Sequence, residues 1–139
     1  MKVVIDSNVV YSGLYSKHGA SYQILRLVRS ERLVPAISVA LFEEYMDVLG
    51  RPPLSVEFNA SDRERFCDFL CSVAYLTEVF FLWRPFLRDP KDDMVLEAAV
   101  ASGARLIITH NIKDFKRVQN FGIEAITPNE YLKREVERK

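Results

Sequence analysis

The sequence predicts an α/β fold built on a central parallel sheet, and three observations lead there. Short apolar runs of strand length alternate along the whole chain with longer stretches of helical spacing. The runs Val3-Val4-Ile5 and Leu106-Ile107-Ile108 are continuously apolar, as strands covered by helices on both faces must be. The length of 139 residues suits one such domain and leaves little room for a second. Residues 1–139 therefore read as a single three-layer α/β/α unit around a sheet of about five strands.

Each element has its own warrant. Residues 2–6 form an apolar run closed by Asp6-Ser7-Asn8, a buried strand entering a loop or helix start. Residues 21–31 read as a helix, with Ser21 placed to cap it and Tyr22, Leu25 and Val28 on one side. Leu33 to Ile37 is a second strand, after which Ser38 caps a helix running to about Leu49 that Gly50-Arg51-Pro52-Pro53 ends. A longer helical stretch starts at Ser61 and carries Phe66, Phe69 or Leu70, and Val73 on one face, with room to break in two. Val79 to Trp83 is β-branched and aromatic and reads as a third strand, its Phe80, Phe81 and Trp83 belonging to the core or a subunit interface. Asp89-Pro90 opens a helix that runs to about Ser102 and stops at Gly103, because proline suits the first helical position and glycine the position past the end. Arg105 to Thr109 is a fourth strand, Ile123 to Ile126 a fifth, and Pro128 to Glu137 a closing helix.

Composition narrows the function classes. With 49% apolar and 27% charged residues the chain is globular, which excludes a disordered or fibrous protein. Nineteen basic residues balance nineteen acidic ones, so any grip on a polyanion must come from a local patch. Cys67 and Cys71 lie four apart, which on a helix separates their Cβ atoms by ~5–6 Å, too far for an unstrained bridge. They read as core residues in a reducing compartment. The first apolar run meets Asp6 before it reaches the ~7–15 apolar residues of an export signal. The run Val79–Trp83 falls far below the ~20 residues of a membrane helix. The expectation is a cytoplasmic protein with no membrane partner.

The acids are more telling. In a parallel sheet every strand exits at one edge and the next helix begins there, which is where ligands of open α/β folds bind. Asp6 ends the first predicted strand, Glu44 lies in the second turn after the second, Asp93 in the first turn of the helix at Pro90, and Asp114 just beyond the fourth strand. All four are predicted at the carboxyl edge. Turning ~100° per residue, Leu41, Phe42, Tyr45, Val48 and Leu49 form an apolar stripe that Glu44 borders, while Glu43 points away to solvent. Asp89 reads as a helix cap and Asp92 as its capping-box partner, where a negative charge also suits the helix dipole. Asp93 lacks that explanation. Converging carboxylates repel one another unless a cation intervenes, and an all-oxygen set suits Mg²⁺ or Mn²⁺ rather than Zn²⁺. Such an ion can activate water and offset charge on a phosphoryl oxygen, the requirement of phosphodiester hydrolysis.

These pieces together resemble a PIN-domain ribonuclease, and within that superfamily the VapC-like toxins of bacterial toxin–antitoxin pairs. The resemblance is carried by Val3-Val4-Ile5-Asp6-Ser7-Asn8-Val9, by Leu41-Phe42-Glu43-Glu44-Tyr45 with Val48-Leu49, by Arg88-Asp89-Pro90-Lys91-Asp92-Asp93 running into Leu96-Glu97-Ala98-Ala99, and by Leu106-Ile107-Ile108-Thr109-His110-Asn111-Ile112-Lys113-Asp114-Phe115. Each motif is weak alone, and their order and spacing are specific together. The resemblance implies a metal-dependent endoribonuclease using Mg²⁺ or Mn²⁺, an RNA substrate, a cognate antitoxin and a homodimer. It assigns Asp6, Glu44 and Asp93 to the metal and its attacking water. Where many members carry an acid two residues after the threonine of the fourth strand, this chain has Asn111, and Asp114 is the carboxylate able to replace it.

Around these acids, Ser7 and Asn8 are placed to orient Asp6 or touch a phosphate, although helix capping explains them equally well, and Thr109 has the same double reading. Arg88, Lys91, Lys113, Lys116 and Arg117 offer positive charge for a phosphate backbone. His110 is placed to shuttle a proton, though a metal-bound hydroxide needs no histidine. Asn111 and the neutral net charge also admit a silent PIN-like module that binds RNA or protein without turnover. A phosphatase is disfavoured because the second aspartate expected after Asp6 is Asn8, and a nucleotide-cofactor enzyme because no glycine-rich phosphate loop is present.

Overall fold

A computed structural model describes residues 1–79, 87 and 89–137. Five parallel strands, β1 (Lys2–Ile5), β2 (Val34–Ile37), β3 (Tyr75–Leu76), β4 (Leu106–Ile108) and β5 (Glu124–Ile126), form one sheet in the order β3-β2-β1-β4-β5. The helices are α1 (Ser7–Tyr15), α2 (Ala20–Arg29), α3 (Val39–Leu49), α4 (Ala60–Val73), α5 (Pro90–Ser102) and α6 (Pro128–Glu137), with 3₁₀ turns at Leu54–Val56 and Ile112–Phe121. The three-layer α/β/α arrangement is the one the sequence predicts.

The chain winds outward from β1 through β2 to β3, then crosses back to place β4 on the other side of β1. Because crossovers between parallel strands are right-handed, reversing direction moves the connecting helices to the opposite face. The packing agrees. α1 packs on α2 and α3, and α2 on α6, whereas α5 lies over β1, β2 and β4 and touches the 3₁₀ segment 112–121. The reversal between β1 and β4 opens a crevice at the carboxyl edge.

Register decides what stands in that crevice. Val3 pairs with Leu106 and Ile5 with Ile108, so the next residues, Asp6 and Thr109, emerge as neighbours. The Asp6 N–H donates to the Ile108 carbonyl at 2.9 Å, and that of Thr109 to the Ile126 carbonyl at 2.9 Å. Behind them Val3, Val4, Ile107 and Ile108 have no exposed surface, and burying each such side chain contributes ~1.5–3 kcal/mol. The acidic edge therefore rests on a fully buried part of the core.

Three local expectations are corrected. Gly19 precedes α2, and Ser21 lies buried inside the helix instead of capping it. α4 starts before Ser61, because Asn59 and Asp62 cap it reciprocally. The third strand is Tyr75–Leu76, pairing with Ala36 and Ile37; Val79 follows it outside any strand, and residues 80–83 of the predicted stretch lie outside the described residues. With α4 ending at Val73, the chain meets the free edge of β2 at once, and the Thr77 N–H bond to the Ile37 carbonyl completes the pairing before the β-branched stretch begins.

Candidate functional site

Asp6 is the first residue after β1 and starts α1, yet its carboxylate does not cap that helix. It turns into the crevice, where Thr109 Oγ1 donates to Asp6 Oδ2 at 2.7 Å and the Ser7 N–H adds a second hydrogen bond. Thr109 is fully buried and accepts the Asn111 N–H at 3.0 Å, so one hydroxyl links the acid to the loop after β4. Beneath, Tyr45 of α3 is buried and its hydroxyl donates to the Ile5 carbonyl, bracing the backbone next to Asp6. Burial raises the Asp6 carboxyl above the ordinary aspartate range, against the opposing pull of Thr109, Ser7 and the nearby His110, and the Asp114 charge adds to the rise.

Glu44 approaches from α3. It is half-buried where Glu43 is exposed, which is the choice the helical count makes. Ser7 Oγ donates to Glu44 Oε2 at 3.3 Å, tying this carboxylate to the residue beside Asp6. Desolvation raises its pKa, with Lys91 and Ser7 working in the other direction.

The start of α5 departs from the sequence reading. Asp89 does cap the helix, its Oδ1 accepting the Lys91 N–H at 3.0 Å. Asp92 is not its capping-box partner; only the Asp92 backbone N–H returns, to the Asp89 carbonyl at 2.9 Å. The Asp92 side chain instead belongs to the acidic group. Burial comes first, then the charges of Asp6, Asp89, Asp114 and Asp93, and together they push its carboxyl up to about 7. Asp93 is buried, with 1% of its surface exposed, and its Oδ1 accepts the Leu87 N–H at 2.8 Å. One oxygen of Asp93 thus anchors backbone.

Asp114 is half-buried at the start of the 112–121 segment, its N–H bonded to the Asn111 carbonyl at 3.0 Å, and its charge reaches both Asp6 and Asp92. Asn111 and Lys113 are exposed at the same edge, and Asn8 Oδ1 accepts the His110 N–H at 3.4 Å. Arg88 lies outside the described residues. The structure therefore brings Asp6, Asp92, Asp93 and Asp114 within electrostatic reach of one another, with Thr109 donating to Asp6 and with Glu44 joined to the group through Ser7. Sequence reasoning missed Asp92, whose spacing from Asp89 imitates a cap, and Tyr45, whose polar tip is hidden in an apolar stripe.

The donor set can be tested against a dication. Among the described residues no group of three His, Cys, Asp or Glu side chains is arranged to hold a metal ion. Mg²⁺, however, keeps several waters and usually takes only one or two protein carboxylates along with substrate phosphate. Burial, and after it the repulsion of Asp6, Asp89, Asp114 and Asp93, holds Asp92 at about 7; a hard cation relieves that repulsion, and the oxygen donors match it. The residues fit a hydrated ion rather than an enclosed one.

The model of the PIN domain matches residues 2–113 of this chain. Among solved structures the chain is similar to a chain in the crystal structure of VapBC2 from Rickettsia felis bound to a DNA fragment from their promoter. That likeness has a TM-score of 0.62 at 17% identity and covers 91% of this chain and 98% of the other, a level that speaks to the fold. No curated protein matches the sequence significantly.

Proposed function

This chain belongs to the PIN-domain family, and from that premise we propose that it is a divalent-metal-dependent endoribonuclease and the toxin of a toxin–antitoxin pair. The observation that carries the reading is the set of partly desolvated carboxylates at the switch point between β1 and β4, with Asp92 raised to about 7 by burial first and by the acids around it second. Uncompensated repulsion of this kind has no role in stability and a direct one in holding a cation.

In this reading one or two carboxylates of the group Asp6, Asp92, Asp93 and Asp114, together with water, would hold a hydrated Mg²⁺ or Mn²⁺. When bound, the ion supplies an acidified water and positive charge for the phosphoryl oxygens. Thr109 orients Asp6, and Ser7 orients Glu44, whose raised pKa suits it to take a proton beside the site. Asp93, the acid chosen from the sequence, also fixes the Leu87 backbone next to the site. The exposed Lys91, Lys113 and Lys116 hold the RNA backbone, with Asn8, Asn111 and Arg88 as further substrate contacts. The VapBC2 assembly supports an antitoxin as the partner. Among the described residues no helix is long and apolar enough to cross a membrane; action on RNA in the cytoplasm is part of the proposal. A homodimer is part of the same proposal, and sedimentation would read it as twice the 16.1 kDa chain mass.

The test is cleavage of single-stranded and structured RNA with Mg²⁺, with Mn²⁺ and with EDTA. Cutting that needs the ion and disappears in Asp6→Asn supports the proposal, and RNA left intact under all three conditions overturns it. A second reading, a module that binds RNA without turnover, is favoured by one observation, the uncharged Asn111 where family members commonly carry an acid. It predicts retention of RNA that is never cut.

A further inference from the structure

His110 follows Thr109 and is exposed at the crevice, where a surface histidine would ordinarily need no account. Its ring is nevertheless anchored. Nε2 lies 2.9 Å from Ser21 Oγ, and Ser21, in the first turn of α2, is only 2% exposed. The His110 backbone N–H is bonded to Asn8 Oδ1 of α1. Ser21 is itself held by a close crossing of α1 and α2, since a Cβ on Gly13 would stand 2.9 Å from the Ser21 carbonyl and 2.6 Å from Leu25 Cδ1. α2 thus holds the imidazole and α1 the backbone of this residue, which lies near enough to Asp6 to act on its carboxyl.

Ser21 is the second residue of α2, and the carbonyls three and four residues behind it belong to the chain ahead of the helix. Ser21 reaches across to His110, and with Nε2 held there the second ring nitrogen, Nδ1, is the polar group of this exposed residue left to meet a ligand. An anionic centre repels a polyanionic substrate, so a ribonuclease built on these acids needs directed donors at its rim as well as flexible lysines. We infer that His110 is a substrate-binding residue that contacts an RNA phosphate through Nδ1, and that Ser21 is the positioning residue that aims it. This rests on the ribonuclease reading of the same site.

The test uses the full chain, a fluorescein-labelled single-stranded oligoribonucleotide, and the variants His110→Ala, Ser21→Ala and their double, each checked for an unchanged thermal midpoint. Affinity is measured by anisotropy in EDTA, and KM and kcat with Mg²⁺. For His110→Ala we expect Kd and KM to rise about tenfold with kcat within about twofold of the parent, the signature of lost uniform binding. Ser21→Ala should raise both about threefold, and the double variant should be no worse than His110→Ala, because Ser21 acts only through the ring. Unchanged Kd and KM in His110→Ala overturn the assignment, as does a fall in kcat alone, and multiplying effects in the double variant overturn the role of Ser21. A parent chain that binds but does not cut RNA fails the nuclease reading while its Kd values still decide on His110. A parent that does neither overturns both.

Discussion

Two helix starts in this molecule use the same local grammar and come to opposite electrostatic ends. α4 begins with Asn59 and has Asp62 three residues on; α5 begins with Asp89 and has Asp92 three residues on. At α4 the pattern closes on itself. Asn59 Oδ1 accepts the Asp62 N–H, Asp62 accepts the Asn59 N–H, and Arg65 adds a contact at 2.5 Å, so the Asp62 carboxyl is lowered by its backbone hydrogen bond first and by Arg65 second. At α5 the box never closes, and Asp92 is raised to about 7. The difference comes from what lies in front of each helix. α4 opens toward solvent and a basic neighbour, whereas α5 opens onto the crevice that already holds Asp6 and Asp114. A fold that leaves one such charge unrelieved while satisfying its local twin has a use for the unrelieved one.

The comparison can be broken or sharpened by substitution. The largest effect is expected at the crevice itself: Asp6→Asn and Asp92→Asn should each cut Mg²⁺-dependent RNA cleavage by about a thousandfold, about 4 kcal/mol of activation free energy, while Asp62→Asn leaves it unchanged. Gel assays under single turnover would show this, and an Asp62→Asn variant as inactive as Asp92→Asn would remove the contrast. Asp93→Ala should cost about 2–3 kcal/mol of folding stability in urea melts, because it strands the buried Leu87 N–H. A neutral Asp93→Ala would mean that the anchoring role is wrong.

Next comes pH. The folded pKa of Asp92, about 7, lies above the ordinary 3.8, so the folded state binds more protons between those values. Stability without metal should fall as pH rises from about 4 through 7 and level off above, by about 2 kcal/mol once solvent screening is discounted. Asp92→Asn should remove this part of the decline, and millimolar Mg²⁺ should flatten it in the parent chain. Melts in the two conditions that decline equally would show that no cation relieves the site. The smallest effect is at the satisfied helix: Asn59→Ala should lose about 1 kcal/mol of stability with cleavage intact.

Much of this site was legible in the sequence. Asp6, Glu44, Asp93 and Asp114 stand at the predicted edge because a strand's end and a helix's first turns are local properties, written in apolar runs, in Ser38 capping by its bond to the Leu41 N–H, and in the Gly103 stop with its positive φ of 78°. The edge strand was not legible, because Tyr75–Leu76 is defined by where α4 releases the chain against β2 rather than by β propensity. Nor were the different surroundings of Asp92, half-buried among charges, and Asp93, buried with one oxygen on the Leu87 N–H. Adjacent residues on a helix point about 100° apart, and which of them meets Asp6 depends on how α5 lies across the sheet. The link from Ser21 to His110 spans 89 residues and leaves no mark in either neighbourhood.

By itself the sequence determined the order of the elements, the parallel sheet and the carboxyl edge as the place for its acids, since periodicity, caps and breakers act within a few residues of themselves. Only the tertiary structure decided which carboxylates share a crevice, which one is buried as an anchor and which histidine is aimed, because Coulomb repulsion and desolvation depend on distance and burial that come into being when remote segments pack together.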